Sequence, residues 1–434
     1  MAIANLIHPT KLFSSVRWRT RFTIWTFAAI AGIAAVGFTK LSDLALEAFS
    51  RVTDGRLWLT LLLTPSLGMV VVWATTRYFP GSQGSGIPQA IAATRALRKH
   101  EPVSRLLSLR IAVGKVFLGA LALFAGFSAG REGPTVHISA IFMLLAHRWL
   151  PNQRVIRAPD LVIAGGAAGI AAAFNTPLAG IVFAIEELAR RFEARTSAVL
   201  LSTIIVSGLT AIAFEGNYRY FGKLIVGSVG VDVIPAVLVG GVVCGLIGGG
   251  FSYLMLLPQR QAQTQFWQLR KRYPVRFAGA CGLLVALIGI ASGGVSLGSG
   301  YGITAAAIDG QVHLPWYTPI ARYVATAISY FSGIPGGLFA PSLAVGASIG
   351  FDLVRWFHFG IGAHPVVAIC MAGFLAAVTQ SPITSAIIVM EMVGGHAMVI
   401  SLMTAALLSK VISERFGPEL YQELSLSFDS RPRE

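Results

Sequence analysis

The sequence predicts an all-α, polytopic membrane protein, and three observations carry that prediction. Its 434 residues are 55% hydrophobic and only 12% charged, whereas soluble domains carry about 25% charged residues. Apolar segments recur along nearly the whole chain, most of them approaching the roughly 20 residues that cross a ~30 Å hydrocarbon core. Basic residues cluster in the short polar connections between segments, the pattern of cytoplasmic loops beside membrane spans.

The segments run from about Phe22 to Phe38, Leu57 to Trp73, Val116 to Gly130, Leu161 to Ile185, Val199 to Phe214, Ile234 to Leu257, Phe277 to Ala291, Val324 to Gly350, Val366 to Met390 and Val399 to Leu408. Before the first of them stand Lys11, Arg17, Arg19 and Arg21 with no acidic residue, so residues 1–21 are predicted to be a cytoplasmic basic segment. No small-residue cleavage site follows, and the chain runs on into Lys40, Asp43 and Glu47, which argues against a removed signal peptide. Further basic clusters (Arg95, Arg98, Lys99, Arg105 and Arg110; Arg190, Arg191 and Arg195; Arg260, Arg270, Lys271, Arg272 and Arg276) mark later cytoplasmic connections. The carboxy terminus is expected on the same side, in a polar tail over residues 426–434. The formal net charge of +15 raises nucleic acid as a partner. The basic residues flank spans instead of interleaving with aromatics on one exposed module, so nucleic acid is set aside. Cys244, Cys281 and Cys370 are isolated in apolar surroundings and read as small core residues, with no disulfide framework and no metal site expected.

Within the apolar stretch from Lys115 to Arg148 the only carboxylate is Glu132, in Gly130-Arg131-Glu132-Gly133-Pro134. A charge at bilayer depth costs a few kcal/mol or more, so Glu132 must face protein, water or an ion. The flanking Gly and Pro break the helix where hydrocarbon would otherwise require every backbone group to be bonded internally. Two further glycine-rich breaks share this character: Gly84-Ser85-Gly86-Ile87-Pro88 and Gly337-Leu338-Phe339-Ala340-Pro341. Each ends in a Pro suited to a helix's first turn. Helices starting at such breaks present unpaired N–H groups and a positive dipole end. Several aimed at one spot make an anion site without a full positive charge, so an ion can be bound and still released.

The unusual residues also repeat. Pro177 and Glu186 match Pro382 and Glu391, with 382 − 177 and 391 − 186 both 205. The Gly130 to Pro134 break is echoed by Gly337 to Pro341 at 337 − 130 = 207, and Gly84-Ser85-Gly86 by Gly298-Ser299-Gly300 at 298 − 84 = 214. Two homologous halves are therefore expected, about residues 22–216 and 233–425, within one transport domain spanning 22–425. Internal repeats of transporters meet at the bilayer midplane around interrupted helices.

Taken together and in this order, Ser85 in Gly-Ser-Gly-Ile-Pro, Glu132 in Gly-Arg-Glu-Gly-Pro and Phe339 in Gly-Leu-Phe-Ala-Pro resemble the three signature motifs of the CLC family of chloride channels and chloride/proton antiporters. The resemblance covers roughly Phe22 to Ser425 and is of the prokaryotic type without appended regulatory domains. It implies two inverted-topology halves of tilted, broken helices and a homodimer with a separate pore in each subunit. It further implies an anion site made by Ser85, by a tyrosine matched here to Tyr421, and by the backbone N–H groups of Leu338 and Phe339. Gly84, Gly86, Pro88, Gly130, Arg131, Gly133, Pro134, Gly337 and Pro341 are the supporting motif positions. Glu132 matches the gating glutamate, whose ionised carboxylate can mimic the anion and whose protonated form swings away. Family antiporters carry a second, internal proton glutamate in an Ile-Glu-Glu pattern, which Glu187 matches in Ile185-Glu186-Glu187. The repeat agrees: Glu186 has a counterpart in Glu391 and reads as architectural, whereas Glu187 faces Met392 in the alignment of halves.

The function expected from this resemblance is chloride/proton exchange through a glutamate-gated anion pathway, in a bacterial-type inner membrane, with no cofactor. A passive voltage- or pH-gated chloride channel and a transporter for another small anion are the alternatives; Ser85 favours chloride. Enzymatic chemistry is not expected, since no nucleophile–base or metal pair occurs at helical spacing. Lys115 reads as a buried lysine paired with a carboxylate or a helix end, His137 as a hydrogen-bonded core histidine, and Ser299 as a helix cap.

Overall fold

The structure, a computed structural model, describes residues 15–153, 156–190, 194–216, 221, 230–309 and 311–429, with the side chains of 194–197 excepted. Lys11, Arg191, the Arg195 side chain and residues 430–434 of the predicted tail lie outside the described residues. The first half contains α1 (Ser15–Thr53), α2 (Thr60–Arg77), α3 (Ile87–Arg98), α4 (Leu109–Phe124), α5 (Glu132–Ala146), α6 (Ala158–Phe174), α7 (Pro177–Phe183) and α8 (Ala194–Glu215). The second contains α9 (Ile234–Arg260), α10 (Gln265–Arg272), α11 (Pro274–Ala291), α12 (Tyr301–Ile308), α13 (Thr318–Ser332), α14 (Phe339–Trp356), α15 (Ala363–Thr379), α16 (Pro382–Val393), α17 (Val399–Ser413) and α18 (Leu420–Leu426).

Among the described residues, α1, α2, α8, α9, α11 and α17 are long and apolar enough to cross a membrane. They expose large apolar side chains such as Leu62, Leu209, Leu246 and Ile400, surface suited to lipid and costly in water. Between them sit α5, α6, α14 and α15, predominantly apolar and buried along almost their whole length. A helix buried on nearly every side belongs at the centre. Small residues let these helices approach closely. A Cβ added to Gly165 on α6 would lie 2.6 Å from the Ser139 carbonyl oxygen on α5, and one on Gly350 of α14 would lie 2.6 Å from the Val367 Cα on α15.

Three of the apolar segments are each divided, the third of them at the glycine-rich break that the sequence marks. Leu161 to Ile185 breaks at Asn175 (φ 55°), and Val366 to Met390 breaks at Gln380 (φ 61°), each a left-handed residue followed two positions later by the proline that opens the next helix. Val324 to Gly350 breaks between α13 and α14 after Gly333 (φ 86°). The first apolar segment is instead longer than its hydrophobic stretch, because α1 continues to Thr53 through Lys40 and Asp43.

The left-handed residues recur with the sequence repeat. Gly84 and Gly298 both have φ 65°, while Gly86 and Gly300 have φ 100° and 84°. Gly126 and Gly333 have φ 84° and 86° at 333 − 126 = 207, and Asn175 and Gln380 stand at 380 − 175 = 205. The halves are tied by a reciprocal exchange. Glu391 accepts the N–H groups of Leu178 and Ala179 at 3.2 and 2.8 Å, and Glu186 accepts those of Ile383 and Thr384 at 3.2 and 2.7 Å. Each carboxylate thus caps the helix that opens at the other half's proline. Glu391→Ala is expected to cost about 1–2 kcal/mol of stability, read as a lowered thermal midpoint in detergent; an unchanged midpoint would refute the capping role.

Candidate functional site

The three glycine-rich breaks, distant in sequence, hydrogen-bond to one another. Gly130 and Gly337 exchange N–H and carbonyl reciprocally at 2.8 and 2.7 Å; Gly84 N–H donates to Ile334 O at 3.0 Å, and Gly336 N–H donates to Gly84 O at 3.1 Å. The consequence is that the amino-terminal ends of α3, α5 and α14 gather in one region. Pro88 lies in the first turn of α3, and Pro134 and Pro341 occupy the third positions of α5 and α14. The first N–H groups of these helices have no intrahelical acceptor, and their dipoles leave partial positive charge there.

Ser85 is buried, and its hydroxyl lies directly over Gly133, so that a side chain at 133 would displace it. Tyr421, on α18, is fully buried with its ring stacked on Phe339 at 5.9 Å and 10°. Among the described residues neither the Ser85 nor the Tyr421 hydroxyl has a hydrogen-bond partner. Two unsatisfied buried hydroxyls at one place cost on the order of 1–3 kcal/mol each unless something polar joins them. Both line a cavity of ≈ 560 Å³, together with Gln83, Tyr330, Arg270 and Lys271. Leu338 and Phe339, at the start of α14, are buried beside this point, and Phe339 also packs on Phe174 and Phe183.

Glu132, the first residue of α5, is fully buried. Its carboxylate folds back over the Cα of Gly130 on the side where Ala340 and Pro341 of α14 also approach, which places it between two converging helix starts. The neighbouring Arg131 turns away to pair with Asp43 of α1, donates to Thr39 O at 3.3 Å, and lies 6.0 Å from the Tyr301 ring centroid.

Glu187 sits elsewhere, in a π-helical turn (Ala184–Ala189) continuing α7, and is 3% exposed. Such turns are frequent at functional sites. Ser381 Oγ donates to one carboxylate oxygen, and the other has no partner among the described residues. Gln422 donates to the Glu187 backbone carbonyl at 3.0 Å, and Gln422 also lines a separate cavity of ≈ 580 Å³ with Arg95, Arg190, Gln380 and Glu419. Arg190 pairs with Glu419 there. Glu187 is thus linked through Gln422 to a different cavity from the one that reaches Ser85.

Lys115 is fully buried and donates to the carbonyls of Gln83 and Gly84, so its partner is the glycine break before α3 rather than a carboxylate. His137 Nε2–H donates to Leu106 O at 2.7 Å, the core arrangement expected. Ser299 accepts from Tyr301 N–H at only 3.4 Å, and the cap position itself is taken by Gly300. The three cysteines are buried and free. Among the described residues no group of three or more His, Cys, Asp or Glu is placed to hold a metal. Ser381, Gln422 and Tyr330 were not singled out from sequence. The only hint was that Gln380-Ser381-Pro382 repeats Asn175-Thr176-Pro177, which marks a break but not which side chain reaches Glu187.

The profile of the voltage gated chloride channel family matches residues 67–414. The chain is 30% identical over 414 residues to the H(+)/Cl(-) exchange transporter ClcA of Klebsiella pneumoniae, covering 89% of this chain and 84% of that protein. With the ClcA exchange transporter of Salmonella agona it is 29% identical over 427 residues, covering 92% and 87%. In three dimensions it is similar to a slow cyanobacterial Cl-/H+ antiporter (TM-score 0.81, 23% identity, covering 94% of this chain and 98% of that one). A CLC-type fluoride/proton antiporter is comparable (TM-score 0.77, 23% identity, covering 93% and 97%). Motifs, converging helix starts, inverted halves and these similarities agree: this multi-pass membrane protein belongs to the voltage gated chloride channel, or CLC, family.

Proposed function

We propose that the protein exchanges chloride for protons across the bacterial inner membrane. The observation that carries this reading is the pair of unpartnered buried hydroxyls, Ser85 and Tyr421, at the start of α14, with the buried Glu187 joined through Gln422 to a second cavity. Chloride sits between the Ser85 and Tyr421 hydroxyls and the N–H groups of Leu338 and Phe339. These donors are neutral or carry fractional charge, so binding stays weak enough for release. Glu132 occupies the next position along the path when ionised and vacates it when protonated, which makes the anion and the proton compete for one place. Glu187 takes the proton from the cavity lined by Glu419 and Gln422, apart from the chloride entry lined by Arg270 and Lys271.

The amino and carboxy termini lie on the cytoplasmic side in this reading, supported by Arg17, Arg19, Arg21 and the cluster from Arg270 to Arg276. The transport domain divides near 22–216 and 233–425. The protein acts as a homodimer in the bilayer, each subunit with its own pathway, as its likeness to the CLC family implies. Transport of chloride and protons requires no cofactor and no covalent chemistry, so the protein is not an enzyme.

A reversal-potential measurement in proteoliposomes, with a proton gradient opposed to a chloride gradient, tests the exchange. The expected reversal potential departs from the chloride equilibrium value in the direction of the pH gradient. A reversal potential that follows chloride alone would identify a passive channel and overturn the reading.

A further inference from the structure

Each half pairs its Gly-Ser-Gly break with one buried basic residue on the helix behind it. Lys115 of α4 and Arg322 of α13 are displaced by 322 − 115 = 207, the displacement of Gly130 and Gly337. Lys115 donates to the carbonyls of its own break. Arg322 is 1% exposed, yet its Nε and Nη1 have no hydrogen-bond partner, and no carboxylate is paired with it among the described residues. Its guanidinium lies against Gly300, so closely that a Cβ there would collide with Nη1. Gly300 (φ 84°) is the cap of α12, whose first turn adds a positive dipole end.

This break opens into a cavity of ≈ 610 Å³ lined by Arg322, Ser299, Gly300 and Tyr301. The cavity is on the opposite face from the one that reaches Ser85. α11 starts at Pro274, just after Arg270 and Lys271 of the first cavity, and ends just before Gly293 and Gly294 of the second. Acidic groups also face it, namely Asp43, Glu47 and Asp54; Asp43 is neutralised by Arg131 and Glu47 by Arg51. A buried guanidinium with unmet donors, a helix start and room for an ion together fit a small anion, because an unpaired buried charge is costly until a counter-charge reaches it.

We propose that Arg322 and the Gly298-Ser299-Gly300 break bind a small inorganic anion, a second site on the face opposite Ser85 that loads the pathway near Glu132. This rests on the reading of the protein as an anion transporter. Crystals of the full protein grown in bromide and measured at the bromine absorption edge test it, alongside chloride flux. The wild type is expected to show one anomalous peak between Ser85 and Tyr421 and another beside the Arg322 guanidinium. Arg322→Met is expected to lose only the second peak and Arg322→Lys to keep it. In flux, Arg322→Met is expected to raise the chloride KM several-fold at an unchanged proton-to-chloride ratio, an effect that a purely structural role would not produce selectively. A wild-type crystal with the central peak alone overturns the second site whether or not the variants fold. A peak that persists in Arg322→Met identifies an adventitious ion only. Absence of the central peak would instead strike the transport reading.

Discussion

In chloride-loaded liposomes, Glu187→Ala is expected to reduce uphill proton movement to background while chloride turnover stays within about threefold of wild type, a barrier change of under ~1 kcal/mol. The selectivity follows from position. Glu187 lines neither the cavity that reaches Ser85 nor the stacked Phe339–Tyr421 pair, so its removal leaves the proposed chloride contacts in place. It does remove the buried carboxylate that Ser381 orients and that Gln422 connects, through the backbone, to the cavity containing Glu419. A hydrogen bond to a charged group contributes about 1.5–3 kcal/mol, so Ser381→Ala should weaken proton transport without abolishing it and leave chloride untouched. If Glu187→Ala stops both ions together, or neither, the proposed separation of the two paths is wrong.

Glu132→Gln should remove proton coupling and flatten the pH dependence of chloride flux. Glutamine keeps the size and hydrogen-bonding capacity of a protonated carboxyl but cannot ionise. The substituted side chain stays among the starts of α5 and α14 with no charge to compete with chloride for their N–H groups. Turnover across acidic to neutral pH, measured with a fixed chloride gradient, is the readout. Flux that still changes with pH in Glu132→Gln would remove Glu132 from the gating role and move attention to another titrating group.

How much could be read before the structure differs from group to group. Ser85, Glu132 and Phe339 stand inside short motifs whose glycines and prolines themselves dictate a broken helix, so both the break and the chemistry were legible locally. Tyr421 has only a Gly417-Pro418 break before it, and its place beside Ser85 depends on Phe339 arriving from another helix to stack on its ring. Ser381 carried no signal for its contact with Glu187, 194 positions away in sequence. From sequence, Lys115 is a buried cation expected to pair with a carboxylate or a helix end. Its acceptors are the carbonyls of the first break, which are freed because Gly84 and Gly86 leave the helical conformation. Continuous apolar runs misled in the other direction. Asn175-Thr176-Pro177 and Gln380-Ser381-Pro382 interrupt them over only three residues, too few to end an apolar run, yet Asn175 and Gln380 take the αL conformation and the following prolines open new helices.

The membrane environment, the two halves and the glutamate placed where lipid would not accept it are all consequences of local chemistry: hydrophobic length, charge position and the conformations open to Gly and Pro. Which unpaired groups meet is a different matter. The exchange of hydrogen bonds between Gly130 and Gly337 and the mutual capping by Glu186 and Glu391 arise only when inverted halves pack against each other. Each joins residues far apart in the chain, and a hydrogen bond forms where packing brings a donor to an acceptor, whatever the spacing between them in sequence.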